Sequence, residues 1–144
     1  RRTKHMDKFN SEGYSDLTTY YALSKIEKEE KAARKAANFR PLVYICSPYS
    51  GDIEGNTKKA REYSRFAVDH GAIPLAPHLL LPQFMSEHTE RELAMFMNMV
   101  FLGRCEQIWV FGNKISNGMA AEIKKAKQKN IKIRYFTDDL KEKA

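Results

Sequence analysis

From Leu42 onward the chain alternates short apolar runs with stretches of helical periodicity, and that alternation constrains its fold more than any other feature. Leu42–Cys46, Ile73–Ala76, Gln107–Phe111 and Lys132–Phe136 have strand length. Between them, Asn56–His70 carries Ala60, Tyr63 and Ala67 at helical spacing with Phe66 on a neighbouring line, and Gly71 suits the helix exit. After Pro77 a loop runs through Ser86. Thr89-Glu90-Arg91-Glu92 then matches a capping box opening a helix with Leu93, Phe96, Met97, Val100 and Phe101 on one side. Gly118–Lys129 reads as the next helix, and Asn130 precedes the last strand. This βαβαβαβ order predicts an α/β fold, a doubly wound parallel sheet of about four to five strands flanked by helices.

Residues 1–40 form an N-terminal extension to the domain spanning 41–144. His5-Met6 resembles a cloning junction, so residues 1–5 read as a tag remnant with Met6 as the natural start. Ser15 is placed to cap a helix bearing Leu17, Tyr20, Tyr21 and Ile26; the pairs Glu27–Lys31 and Glu30–Arg34 support its polar half, and Pro41 ends it. A docked arm is the expectation for this helix, with partner binding as the alternative. The net charge of +7 is concentrated here: residues 1–40 hold ten Lys/Arg against six Asp/Glu, and 41–144 hold fifteen against twelve. Elsewhere bases alternate with acids on helices, a solvated pattern that argues against nucleic acid as a partner. No apolar stretch reaches membrane-spanning length and no secretory h-region is visible. Cys46 and Cys105 stand apart without metal-ligand spacing, so they read as buried thiols of a cytoplasmic protein, with no metal or cofactor implied.

In an open sheet ordered 2-1-3-4, a ligand sits beyond the carboxyl ends of the first and third strands. The loops leaving those strands, Ser47–Gly55 and Gly112–Asn117, are also the two richest in Gly, Ser and Asn. Within the first, Ser47 and Ser50 offer hydroxyls, Tyr49 a ring and a phenol, and Gly51 close backbone approach, although a plain turn has the same composition. The second leads through Ser116-Asn117-Gly118-Met119 into a helix, whose start suits an anion. Gly118 and Glu122 fall on one helix face with Ala126, and Lys124, Lys125 and Lys127 lie on other lines. The residues alone leave open whether Glu122 is functional or a surface carboxylate. His78, after the second strand, is placed to meet a nucleobase, shuttle a proton or make a structural hydrogen bond. His70 reads as a helix-end partner, His88 as surface, Trp109 as core, and Met95, Met97 and Met99 as packing for a core or subunit seam.

The blocks Tyr44-Ile45-Cys46-Ser47-Pro48-Tyr49-Ser50-Gly51, Pro74-Leu75-Ala76-Pro77-His78, Cys105-Glu106-Gln107-Ile108-Trp109-Val110-Phe111-Gly112 and Ile115-Ser116-Asn117-Gly118-Met119-Ala120-Ala121-Glu122-Ile123, in that order, resemble the nucleoside 2-deoxyribosyltransferase-like superfamily. More closely, Leu42 to Phe136 looks like a bacterial and phage branch of it with unassigned function. The resemblance implies a flavodoxin-like subunit, assembled as a dimer or larger homo-oligomer, that cleaves the N-glycosidic bond of a deoxynucleoside or nucleoside monophosphate by hydrolysis or transfer. It puts Glu122 at the position of the nucleophile, which attacks the anomeric carbon to give a glycosyl ester, as in retaining glycosidases. Ser116, six residues earlier, leans toward a 5′-phosphate; Tyr44 and the Ser47–Gly51 loop fall where relatives contact sugar or phosphate. One position departs: relatives carry an aspartate where this chain has Asn98, and an amide orients a ligand but is no general acid. Asp52, Glu54, Glu87 and Glu92 are the other acidic candidates, and nothing in the sequence selects among them. The alternative to an enzyme is a noncatalytic nucleotide-binding or sensing module of the same fold.

Overall fold

The computed structural model describes residues 17–144, with side chains from Thr18 onward, so the expected tag remnant at 1–5 and the expected cap at Ser15 lie outside the described residues. The chain divides into two compact units, one ending at Phe39 and the other running Arg40–Ala144. The first contains α1 (Leu17–Ala37), with Tyr21, Leu23 and Ile26 exposed.

The second unit runs β1 (Leu42–Cys46), α2 (Ile53–Asp69), β2 (Ile73–Leu75), α3 (Pro77–Leu80) with a 3₁₀ turn at Leu81–Gln83, α4 (Arg91–Gly103), β3 (Gln107–Phe111), α5 (Asn117–Gln128) and β4 (Lys132–Phe136). Its four strands are all parallel in the order β2-β1-β3-β4, a flavodoxin-like doubly wound arrangement. Because successive side chains of a strand point to opposite faces, β1 and β3 are apolar on both. Val43, Ile45, Trp109 and Phe111 pack with Tyr63 and Ala67 of α2. Tyr44, Cys46, Ile108 and Val110 pack with Leu102 of α4 and with Met119, Ile123 and Ala126 of α5. On the first face Tyr63 stacks on Phe111 with centroids 4.3 Å apart, and Phe111 on Phe136 at 4.9 Å. Trp109 is core, as expected, and both cysteines are buried free thiols.

Three local expectations are corrected. Helix α2 starts at Ile53 rather than Asn56, because the Asp52 carboxylate accepts from the Gly55 N–H at 3.1 Å and caps it earlier. The segment after Pro77 is not a plain loop: Pro77 and Pro82 stand in the first turns of α3 and of the 3₁₀ turn, where proline's missing N–H costs nothing. The capping box at Thr89 does not form. In the turn before the helix the Ser86 hydroxyl accepts from the His88 and Thr89 N–H groups and Glu90 reaches back to the Ser86 N–H at 3.0 Å, while the N-cap position of α4, Glu90, makes no side-chain cap. Helix α4 therefore begins at Arg91, and its Leu93, Phe96 and Val100 are exposed. Elsewhere, Gly71 and Asn130 take positive φ at the ends of α2 and α5, and His70 bonds the Phe66 carbonyl at 2.8 Å.

Candidate active site

β1 and β3 end side by side, and the chain leaves them in opposite directions, so a crevice opens beyond Cys46 and Phe111. On the side of α4 and α5 it deepens into a cavity of about 320 Å³. Helix α5 supplies one wall. Ser116 is its N-cap, its hydroxyl accepting from the Met119 N–H at 3.2 Å, which leaves the N–H groups at Asn117 and Gly118 for a ligand. A Cβ at Gly118 would meet nothing within 4 Å, so glycine there keeps the helix start open rather than serving packing.

One turn further, Glu122 is drawn under the helix because it shares the inward line with Ala126; Lys124 and Lys127 face solvent. Only 8% of Glu122 is exposed, and its carboxylate lies on the cavity floor. The Tyr44 hydroxyl donates to Oε2, and Cys46 Sγ lies 3.7 Å from Oε1. Two residues apart on β1, Tyr44 and Cys46 present both groups to one face. Burial pushes the Glu122 carboxyl up to about 7, with the hydrogen bonds from Tyr44 and Cys46 pulling the other way. Burial first, and then the neighbouring carboxylate, raises Tyr44 and Cys46 well above their usual range. Both therefore stay neutral and act as donors while Glu122 exchanges its proton near neutrality.

The opposite wall comes from the β1–α2 loop and the turn after β2. Ser47 Oγ and His78 Nε2 share a hydrogen bond at 3.1 Å, and the Tyr49 ring lies 6.0 Å from the imidazole. Burial lowers His78 to about 4, so it is a neutral imidazole at pH 7. Asn56 fixes the loop by donating from Nδ2 to the carbonyls of Tyr49 and Ser50, at 3.0 and 3.1 Å.

Helix α4 closes the third side, and with it comes Arg91, which the sequence did not single out for the site. Arg91 donates to Glu87 at 2.6 Å and approaches Ser50 Oγ at 3.4 Å, bringing a guanidinium to the cavity rim. Of the four acidic candidates, Glu87 alone lines this cavity; Asp52 is committed to its cap. Met95, read as packing, instead joins Leu81 in an apolar wall. Asn98 lines the cavity too, and its Oδ1 is sealed from solvent without a hydrogen-bond partner. A buried amide oxygen in that state is an acceptor awaiting a donor.

The structure thus brings Ser47, Tyr49, Ser50, His78, Asn98, Ser116, Asn117, Gly118, Met119 and Glu122 to one cavity. Tyr44 lies beneath the floor and reaches the site through Glu122. Gly51 does not line the cavity; its φ of +92° is the left-handed conformation for which the turn there favours glycine. Arg91 was legible only as a charge in a helix start, because its place depends on how α4 crosses the sheet. Among the described residues, no three His, Cys, Asp or Glu side chains converge to hold a metal ion, and no helix is long and apolar enough to cross a membrane.

No curated protein matches the chain. A family model described as a domain of unknown function, DUF7768, matches residues 41–136, the sheet and every wall of the cavity. The chain belongs to that family.

Proposed function

We propose that this protein is a nucleoside 2-deoxyribosyltransferase-like enzyme that cleaves the N-glycosidic bond of a nucleoside monophosphate or deoxynucleoside, with Glu122 as nucleophile. The observation that carries the reading is a carboxylate buried on a cavity floor, oriented by the Tyr44 hydroxyl and ionising near neutral pH. When ionised, one Glu122 oxygen attacks the anomeric carbon, the bond to the base nitrogen breaks, and its electron pair leaves with the base, which takes up a proton from water. Water then hydrolyses the glycosyl ester, or a second base accepts the sugar. The free N–H groups of α5 and the Arg91 guanidinium supply attraction for a 5′-phosphate. The apolar wall of Met95 and Leu81 suits a flat base. The exposed line Leu93, Phe96 and Val100 supports self-association of the subunits, as the resemblance implies.

The test is to incubate the protein with a panel of nucleosides and nucleoside monophosphates and to measure free base. Release by the native protein that falls at least about 100-fold in Glu122→Gln is the expected result. Equal release by the variant removes the nucleophile assignment.

One observation favours a second reading. Asn98 lines the cavity at the position where the resemblance implies an aspartate, and an amide cannot protonate a leaving base. Saturable nucleotide binding with no base released over long incubation would make the protein a nucleotide-sensing module.

A further inference from the structure

Beyond the same strand ends, on the side of α2, lies a second cavity of about 250 Å³ that shares no lining residue with the first. Lys59 of α2 and Lys114 of the β3–α5 loop, both exposed, line it, and among the described residues neither is in a salt bridge. A third ammonium, Lys143 Nζ, bonds the carbonyl of Gly112 on its wall at 3.2 Å. Asp138 is the one carboxylate that lines it.

Tyr63 adds an independent observation. The residue is 2% exposed, its ring stacked on Phe111, and it lines this cavity. Among the described residues its hydroxyl has no hydrogen-bond partner, yet it is not one of the polar atoms sealed from solvent. The ring is buried and the hydroxyl alone is open, so its partner comes from the cavity side. Two unpaired ammonium groups and a phenolic donor around one hollow are the donor set for an oxyanion.

We infer that this second cavity binds a small oxyanion of the phosphate or carboxylate class, held by Lys59, Lys114 and the Tyr63 hydroxyl. Asp138 offers an acceptor beside them, which favours an anion that also carries a hydroxyl. The inference does not rest on the function proposed for the first cavity. The two are neighbours all the same: Asn56 lines the second cavity while its Nδ2 holds the Tyr49 and Ser50 carbonyls of the first.

The experiment titrates inorganic phosphate into the full chain, with potassium chloride at matched ionic strength as control, following backbone amides by NMR. Saturable shifts at Asn56, Asn113 and Lys114 are expected with phosphate and not with chloride. The double variant Lys59→Gln/Lys114→Gln should weaken binding at least about tenfold, and Tyr63→Phe roughly two- to tenfold with the ring stack retained. Arg91→Gln, in the other cavity, should leave these shifts unchanged. A parallel titration with acetate tells the two ligand classes apart, and a saturable response to either supports the site. Shifts that chloride reproduces, an affinity unaltered in the double variant, or phosphate shifts confined to Ser116–Gly118 would each overturn the inference.

Discussion

Replacing Glu122 with glutamine should make the protein more stable at neutral and alkaline pH even as it removes the proposed nucleophile. The variant keeps the side chain's shape and an acceptor for the Tyr44 hydroxyl while deleting the charge. In the folded chain the carboxyl titrates at about 7 against an ordinary 4.5, chiefly because burial disfavours the anion. At about 1.36 kcal/mol per pH unit, that difference corresponds to about 3 kcal/mol. The sign follows from proton uptake. Below pH 4.5 the group is protonated in both states and the native protein has its full stability. Between 4.5 and about 7 the unfolded chain releases the proton and the folded chain retains it, so stability is lost as pH rises; above 7 the loss is complete. Urea unfolding of both proteins at pH 4.5, 6 and 8 reads this directly. The difference should move in the variant's favour by about 3 kcal/mol across the series, a large share of the roughly 5–15 kcal/mol typical of a domain. Parallel stability curves would refute the reasoning, because a carboxylate hydrated in both states gives no such slope.

The other predictions concern the cavity walls and the outer face of α4. His78→Gln should flatten the acid limb of stability: the buried imidazole titrates at about 4 instead of 6.5, so its contribution of about 3 kcal/mol is present above 6.5 and lost as pH falls toward 4, in the same urea series. Asn98→Asp should raise base release from nucleoside monophosphates by about 100-fold if leaving-group protonation limits the native protein; no rise in a steady-state assay separates that position from the chemistry. Phe96→Glu, on the exposed line of α4, should shift the sedimentation coefficient to that of a monomer without lowering unfolding stability by more than about 0.5 kcal/mol; an unchanged coefficient rules out that face as the seam.

The sheet was legible because its signal is local. Leu42–Cys46 and Gln107–Phe111 are apolar on both faces, the mark of strands covered on both sides, and the alternation with helices dictated their winding. Glu122 was legible in part: helical spacing sets it on the line of Ala126, which faces the sheet, but left open whether it was functional or a surface carboxylate. The rest depended on contacts distant in sequence. Tyr44 meets Glu122 across 78 positions, and Arg91 reaches Ser50 across 41, separations to which no periodicity speaks. The capping box misled at Thr89: the pattern fits there, but the chain folds 86–90 into its own turn and α4 opens two residues later at Arg91. Leu93, Phe96 and Val100 read as a packing face, yet α4 turns Asn98, Met95 and Leu102 inward instead.

The claim on which the account turns is that the Glu122 carboxylate forms a bond to a sugar, and covalent trapping tests it most directly. A nucleotide analogue fluorinated at the sugar 2-position slows breakdown of the glycosyl ester, so native protein incubated with it should gain the mass of the fluorosugar phosphate. Peptide mapping should place that mass on Glu122, and Glu122→Gln should gain none. Base released with no adduct on Glu122, or an adduct on another side chain, would contradict the account.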